Sequence, residues 1–211
     1  MTQVVYVRHG EVENPHDVVY GRLPGFGLSD RGRRQMRATA RRIAAMNPKA
    51  LFASPMLRAV ESAEIIQSAC AGVSLAAIDE LAEVRHSWEG ERRNLLPAHY
   101  NYYEPKRRWC DEGLDDLHRR MYGFLRYLAR KFGRDETVVC VSHCDPIRAL
   151  CMGIAGEQMS LHVLRRMGDY YPALASLTTV ALEMGTSVSK SEVTYWELEG
   201  SVEGVRSVQE G

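Results

Sequence analysis

Three stretches of this chain place cationic and imidazole side chains directly after apolar runs. Arg8-His9-Gly10-Glu11 follows Val4-Val5-Tyr6-Val7, Ser54-Pro55-Met56-Leu57-Arg58 follows Leu51-Phe52-Ala53, and Ser142-His143 follows Val138-Val139-Cys140-Val141. Guanidinium forks match the oxygens of a phosphoryl group in shape and charge, so Arg8 and Arg58 are candidates for gripping one. His9 is a candidate nucleophile or general base. A neutral imidazole attacks phosphorus through one nitrogen while the other donates to a backbone carbonyl that sets tautomer and aim. His143, if protonated, adds a third cationic donor.

Each residue alone has a plainer reading. Arg58 could point into water or pair with Glu61, His9 could be a structural hydrogen-bonder, and His143 a spacer before Asp145. Their joint occurrence at three strand ends favours chemistry. Arg58 also falls in the first turn of an expected helix, where the dipole disfavours a cation unless an anion lies beside it. Gly10 permits close backbone approach, and Glu11 reads as loop support.

The intervening sequence supplies elements to hold these groups. Strands are expected at 3–7, 50–53, 75–78 and 137–141, and helices at 30–46, 55–69, 112–132 and from Asp145 to about Met152. Ser29 caps the first helix, and Ser54-Pro55 reads as N-cap and first residue of the second. Residues 12–28, rich in Gly and Pro, form a long loop of the kind that is often functional. Residues 176–183 and 192–198 read as closing strands, antiparallel to one another. Between 84 and 111 the apolar periodicity is lost, which suggests an inserted flap. Its Arg85, Arg92, Arg93, Lys106, Arg107 and Arg108 could bind a second acidic group of a substrate or form a solvated basic surface; Trp88 and Trp109 could pack the flap on the core or wall the substrate. Alternating strands and helices define an α/β fold, a three-layer α/β/α sandwich with a mostly parallel central sheet. Ligands of such sheets bind beyond the carboxyl ends of the strands. One domain is expected over 1–199, followed by a polar tail at 200–211.

Bulk properties restrict the partners. Lys+Arg 27 balances Asp+Glu 27 over 211 residues, so there is no general attraction to nucleic acid or anionic membrane. No apolar run approaches the roughly 20 residues needed to span a bilayer, and the N-terminus lacks secretory features. Five cysteines without a CxxC pair read as reduced thiols in a cytoplasmic protein. The expected partner is a small phosphorylated substrate, with a homodimer compatible with the sequence and no cofactor or metal required.

The ordered motifs resemble the histidine phosphatase superfamily, the phosphoglycerate mutase-like fold. The resemblance rests on Arg8-His9-Gly10-Glu11, Ser54-Pro55 with Arg58, Glu83 ahead of Trp88-Glu89-Gly90, and Ser142-His143, and it covers residues 3–155. It implies that His9 becomes phosphorylated, that Arg8, Arg58 and His143 form the phosphate pocket, and that Glu83 protonates the leaving oxygen, with Glu80 as its rival. Such an acid must hold its proton at working pH, hence be partly buried or beside the phosphate. The resemblance further implies that Asn14, Gly21 and Arg22 of the long loop reach the substrate, and Ser142 and Cys144 are counted with them. The chain departs from the usual pattern at Val12, at Cys144 (where glycine is usual) and in a shorter Glu83–Trp88 stretch.

The activity implied is metal-independent phosphomonoester hydrolysis through a phosphohistidine. A mutase is the alternative, less favoured because mutase chains usually carry a longer cap and tail. A cysteine phosphatase built on Cys144 and Arg148 has three intervening residues where five are needed. A metallohydrolase using His9, His16, Asp17, His143 and Asp145 has no HxH or HxxxH pair to support it. A non-catalytic phosphate- or phosphopeptide-binding module would require a lost nucleophile or acid, and neither is lost.

Overall fold

The computed structural model describes residues 2–98, 100–103, 108–166, 171–182, 191–197 and 204–207. At its centre lies β1 (Thr2–Arg8), whose Val4, Val5, Tyr6 and Val7 are all fully buried. A strand buried on both faces must be covered on both, and the alternation of its side chains shows how. Val4 and Tyr6 pack among Met121, Phe124, Leu125 and Leu128 of α3 (Leu114–Lys131) and Ile147 and Leu150 of α4 (Cys144–Ile154). Val5 and Val7 face the other way, toward Met36, Ala40 and Ile43 of α1 (Asp30–Ala44) and Ala59, Ala63 and Ile66 of α2 (Leu57–Ala69). Two apolar cores on opposite faces of one sheet make the three-layer α/β/α sandwich.

The sheet also contains β2 (Ala50–Ala53), β3 (Leu75–Ala77), β4 (Thr137–Ser142), β5 (Leu177–Leu182), β6 (Ser191–Trp196) and β7 (Gly204–Ser207). Their order is β3-β2-β4-β1-β5-β6-β7. The first four are mutually parallel; β5, β6 and β7 pair antiparallel in succession, so β6 shares the direction of the parallel group. Because β2, β4 and β1 are immediate neighbours, the three strand ends singled out above lie side by side at one edge.

Element ends shift by one or two residues from expectation, and two differences are informative. Helix α2 begins at Leu57 behind Met56, not at Pro55, and the Ser54 hydroxyl accepts from both the Met56 N–H (3.3 Å) and His143 Nε2–H (2.7 Å). Part of the segment expected to be tail, Gly204–Ser207, forms the edge strand β7, while the rest lies outside the described residues. A short helix α5 (Leu161–Arg166) follows α4, in a stretch for which no element was expected.

Helix α1 is welded to the loop after β1. Ser29 caps it by accepting from the Gly32 amide (3.0 Å) and donates to the Glu11 carboxylate (2.7 Å), while Glu11 pairs with Arg31 (3.4 Å). This is the support role expected of Glu11. A Cβ at Gly10 would stand 2.6 Å from the Gly32 carbonyl oxygen, and one at Gly32 would collide with that of Glu11. The backbone after His9 therefore rests directly on the helix. Gly32→Ala is expected to destabilise the protein by about 1–3 kcal/mol through overpacking, measured by urea unfolding; an unchanged midpoint would show that the two backbones separate freely.

Candidate active site

Four groups from distant parts of the chain meet at the carboxyl edge of the parallel strands. His9 follows β1 and is 2% exposed. Its Nδ1 lies 2.7 Å from the Gly10 carbonyl and its Nε2 faces Arg58 Nε at 3.2 Å. An arginine only donates, so Nε2 is the unprotonated nitrogen and Nδ1–H donates to the carbonyl. Burial pushes the His9 pKa well down, and the charges of Arg58 and Arg8 push it further. His9 is thus neutral, with its lone pair turned into the site.

Arg58 lies at the second position of α2 and is completely buried, so it neither reaches water nor pairs with Glu61. Glu61 instead binds Arg33 (3.1 Å) and the Leu28 amide (2.6 Å). The Arg58 Nη2 donates to the Gly21 carbonyl (2.9 Å) and to His143 Nδ1 (3.1 Å), and its guanidinium lies over the Tyr20 ring (4.7 Å to the centroid). Its Nη1 has no hydrogen-bond partner among the described residues, and the same holds for Arg8 Nε. Arg8 Nη1 donates to the Pro172 carbonyl (2.6 Å). Buried guanidinium N–H groups without acceptors are costly, about 1–3 kcal/mol or more each, unless an anion visits them.

His143 caps α4 without any exposure. It accepts from Arg58 through Nδ1, so its Nε2–H donates to Ser54. Burial, Arg58 and His9 all push its pKa well down. The condition on which it would be a cationic donor, protonation, is thus disfavoured here; a phosphate dianion in the site would reverse the local field.

Glu83 is brought to the same place. Its Oε1 accepts the Val84 amide (2.9 Å), and its Oε2 stands 3.6 Å from both Arg58 Nη2 and His143 Nδ1. Burial raises its pKa, against the lowering effect of Arg58 and with the nearby charge of Asp145 adding to it. Glu80, the rival, is exposed in a 3-10 turn.

The remaining expected substrate contacts are redistributed. Both ends of the Asn14 amide are occupied by the Val18 backbone (2.9 and 3.1 Å), because a loop of this length needs an internal brace. Gly21 does reach the site, through the carbonyl that holds Arg58; its φ of +40° and the close approach of Glu89 exclude a side chain. The Arg22 guanidinium is turned away to the Glu83 carbonyl (2.7 Å) and Glu112 (2.7 Å). Ser142 donates to the Leu81 carbonyl (2.8 Å), tying β4 to the turn ahead of Glu83. Cys144 is buried against the Pro172 carbonyl (3.7 Å), and burial raises its thiol far above the usual range, so no thiolate forms there.

Sequence reasoning missed several participants. Tyr20 stacks on Arg58. Asp145 is buried and accepts from Tyr103 (2.6 Å) and Tyr171 (3.4 Å). Glu112 and Arg120 surround the Glu83 backbone. Nothing in local spacing marks them, since their partners lie tens of residues away. Among the described residues no group of three His, Cys, Asp or Glu is placed to hold a metal ion, and no helix is long and apolar enough to cross a membrane.

The flap closes over this edge through aromatic packing. Trp88 is buried, whereas Trp109 projects into solvent from the turn closed by Asp111 on Arg108 (3.1 Å). Arg93 pairs with Asp17 (3.2 Å), while Arg85, Arg92 and Arg108 are exposed; Lys106 and Arg107 lie outside the described residues. His86 stacks on Tyr102 (4.3 Å) and accepts the Trp88 amide through Nδ1 (3.2 Å).

The profile of the histidine phosphatase superfamily (branch 1) matches residues 4–191. The chain is 36% identical over 188 residues to Uncharacterized protein Rv0525 of Mycobacterium tuberculosis, covering 85% of this chain and 89% of that one. It is 30% identical over 175 residues to Phosphoserine phosphatase 1 of Hydrogenobacter thermophilus, covering 76% and 79%. The mycobacterial glucosyl-3-phosphoglycerate phosphatase Rv2419c shares the fold, with a TM-score of 0.75 at 20% identity over 92% of this chain and 96% of that one. The chain belongs to the histidine phosphatase superfamily.

Burial pushes the His86 pKa down to about 4, with Asp111 opposing. The unfolded imidazole takes its proton near 6.5, so between these values the unfolded state binds more protons and stability falls as pH falls. At pH 5 the loss attributable to His86 is expected to be about 1 kcal/mol after allowance for solvent screening. Thermal melts at pH 7 and pH 5 should show a smaller acid-induced drop for His86→Gln than for the wild type; equal drops would remove His86 from the account.

Proposed function

We propose that this protein is a metal-independent phosphomonoesterase working through a phosphohistidine. The observation that carries this reading is the neutral His9, its Nε2 lone pair aimed at buried arginines whose N–H groups lack acceptors. A phosphate monoester entering here takes over the Arg58 hydrogen bond now made to Nε2 and satisfies the idle donors of Arg8 and Arg58. Its charge favours protonation of His143, which then donates as well. Transfer of a phosphoryl group depends mainly on such positioning and charge neutralisation.

His9 Nε2 attacks phosphorus as the ester P–O bond breaks, and the leaving oxygen takes the proton of Glu83. The resulting Glu83 carboxylate then removes a proton from a water molecule. That water attacks phosphorus, the P–N bond breaks, and His9 leaves neutral with inorganic phosphate as product. The raised pKa of Glu83 suits the first half, and the bound phosphate dianion raises it further. The relatives named as phosphatases of phosphoserine and of glucosyl-3-phosphoglycerate both cleave phosphate monoesters, which supports hydrolysis as the reaction class.

In a rapid-quench assay the wild type, in the presence of a chelator, is expected to release phenolate from an aryl phosphate and to carry acid-labile phosphate. His9→Ala should carry none and lose at least about 10³-fold in kcat. Normal turnover by that variant would discard the mechanism, and loss of wild-type turnover on chelation would replace it with a metal-dependent one.

A further inference from the structure

The backbone that aims Glu83 is held by an ion cluster with no part in the chemistry above. The Glu83 carbonyl accepts from Arg22 Nε (2.7 Å) and Arg120 Nη2 (3.3 Å). Glu112 lies between these two guanidiniums, with Oε2 on Arg22 Nη2 (2.7 Å) and Oε1 on Arg120 Nε (2.9 Å). The same Oε2 accepts the Arg85 amide (2.8 Å). Arg120 also donates to the Glu80 carbonyl. All three side chains of the cluster are less than 20% exposed.

The chain is thus pinned on both sides of Val84, at the carbonyl of Glu83 and the amide of Arg85, while the Val84 side chain is sealed in the core. Only the Glu83 side chain remains to be placed, and its own bond to the Val84 amide does that. The cluster has a second reach. Gly21 holds Arg58 through its carbonyl, and the next residue, Arg22, holds Glu83. One dipeptide therefore sets the distance between a phosphate-gripping arginine and the candidate acid.

We propose that Glu112, Arg22 and Arg120 are positioning residues that hold Glu83 against the leaving oxygen, working as a clamp on the 83–85 backbone. This rests on Glu83 being the proton donor. A surface ion pair contributes little and tolerates loss, but a shielded cluster that loses one member leaves an uncompensated charge and relaxes the backbone it holds. Proton transfer requires the acid within hydrogen-bond reach, and a displacement of about 1 Å costs on the order of 10²-fold.

The test compares kcat/KM, which reports the steps through leaving-group departure, on an alkyl phosphate and on p-nitrophenyl phosphate. The alkoxide needs a proton and the nitrophenolate does not. Wild type, Glu83→Gln, Glu112→Gln, Arg120→Met and Arg22→Lys are measured together. The clamp variants are expected to lose on the order of 10²-fold on the alkyl ester and only a few-fold on the activated ester, in parallel with Glu83→Gln. Retained activity on the activated ester certifies the fold within the same experiment. If Arg120→Met does not fold, the near-isosteric Glu112→Gln carries the comparison. Selective loss in Glu83→Gln together with equal losses on both esters, or none, in Glu112→Gln would overturn the clamp and leave Glu83 as the acid. Absence of selective loss in Glu83→Gln itself would overturn the acid assignment and the clamp with it.

Discussion

The site depends on one buried guanidinium. Arg58 has no contact with water, yet it touches the His9 imidazole, the His143 imidazole, the Gly21 carbonyl and the Tyr20 ring, with Glu83 at 3.6 Å. A charge in that position cannot be solvated, so its neighbours must be arranged around it. Their arrangement explains the protonation pattern. Burial, reinforced by the cation, lowers the pKa of both histidines, while burial raises that of the glutamate despite the cation. A neutral imidazole and a carboxyl inclined to keep its proton are the two states that the proposed phosphoryl transfer to histidine would require.

Holding a cation there is a task for the whole sandwich. Arg58 enters from the first turn of α2, where the helix dipole opposes it, so the opposition must be offset by packing and by acceptors from the long loop. Sheet order supplies the rest. Because β4 lies between β2 and β1, His143 emerges between Ser54 and His9, and the Ser54 hydroxyl orients it. Ser142 and Gly10 add no group to the chemistry, but they set how closely the acid-bearing turn and α1 approach the strand ends.

The proposed acid is held differently from the candidate phosphate-binding groups. His9, Arg58 and His143 stand at the ends of strands or starts of helices, on rigid elements. Glu83 stands in irregular chain between a 3-10 turn and the flap, where regular secondary structure cannot aim it. Arg22, Glu112 and Arg120 provide fixed charges around that backbone in place of a ladder. The flap itself is packed by Trp88 and by the stack of His86 on Tyr102.

Residue types and local periodicity already pointed to most of the secondary structure and to His9, Arg58 and His143, while Glu83 came only from the family resemblance. An uncharged β-branched run reads as a buried strand wherever it stands, and an arginine or histidine just beyond it can only lie at a sheet edge. The antiparallel closing pair was legible because its strands follow one another in sequence, whereas the support role of Glu11 rests on Ser29 and Arg31 at the start of α1. Tertiary structure alone decided between Glu83 and Glu80, turned Arg22 from substrate to backbone, engaged Asn14 within its own loop, left Trp109 outside, and recruited Glu112 and Arg120. Apart from the local Asn14–Val18 brace, the new pairings join partners separated by 8 to 90 residues. Such pairings follow from strand order and helix packing, which place charges side by side irrespective of their spacing along the chain.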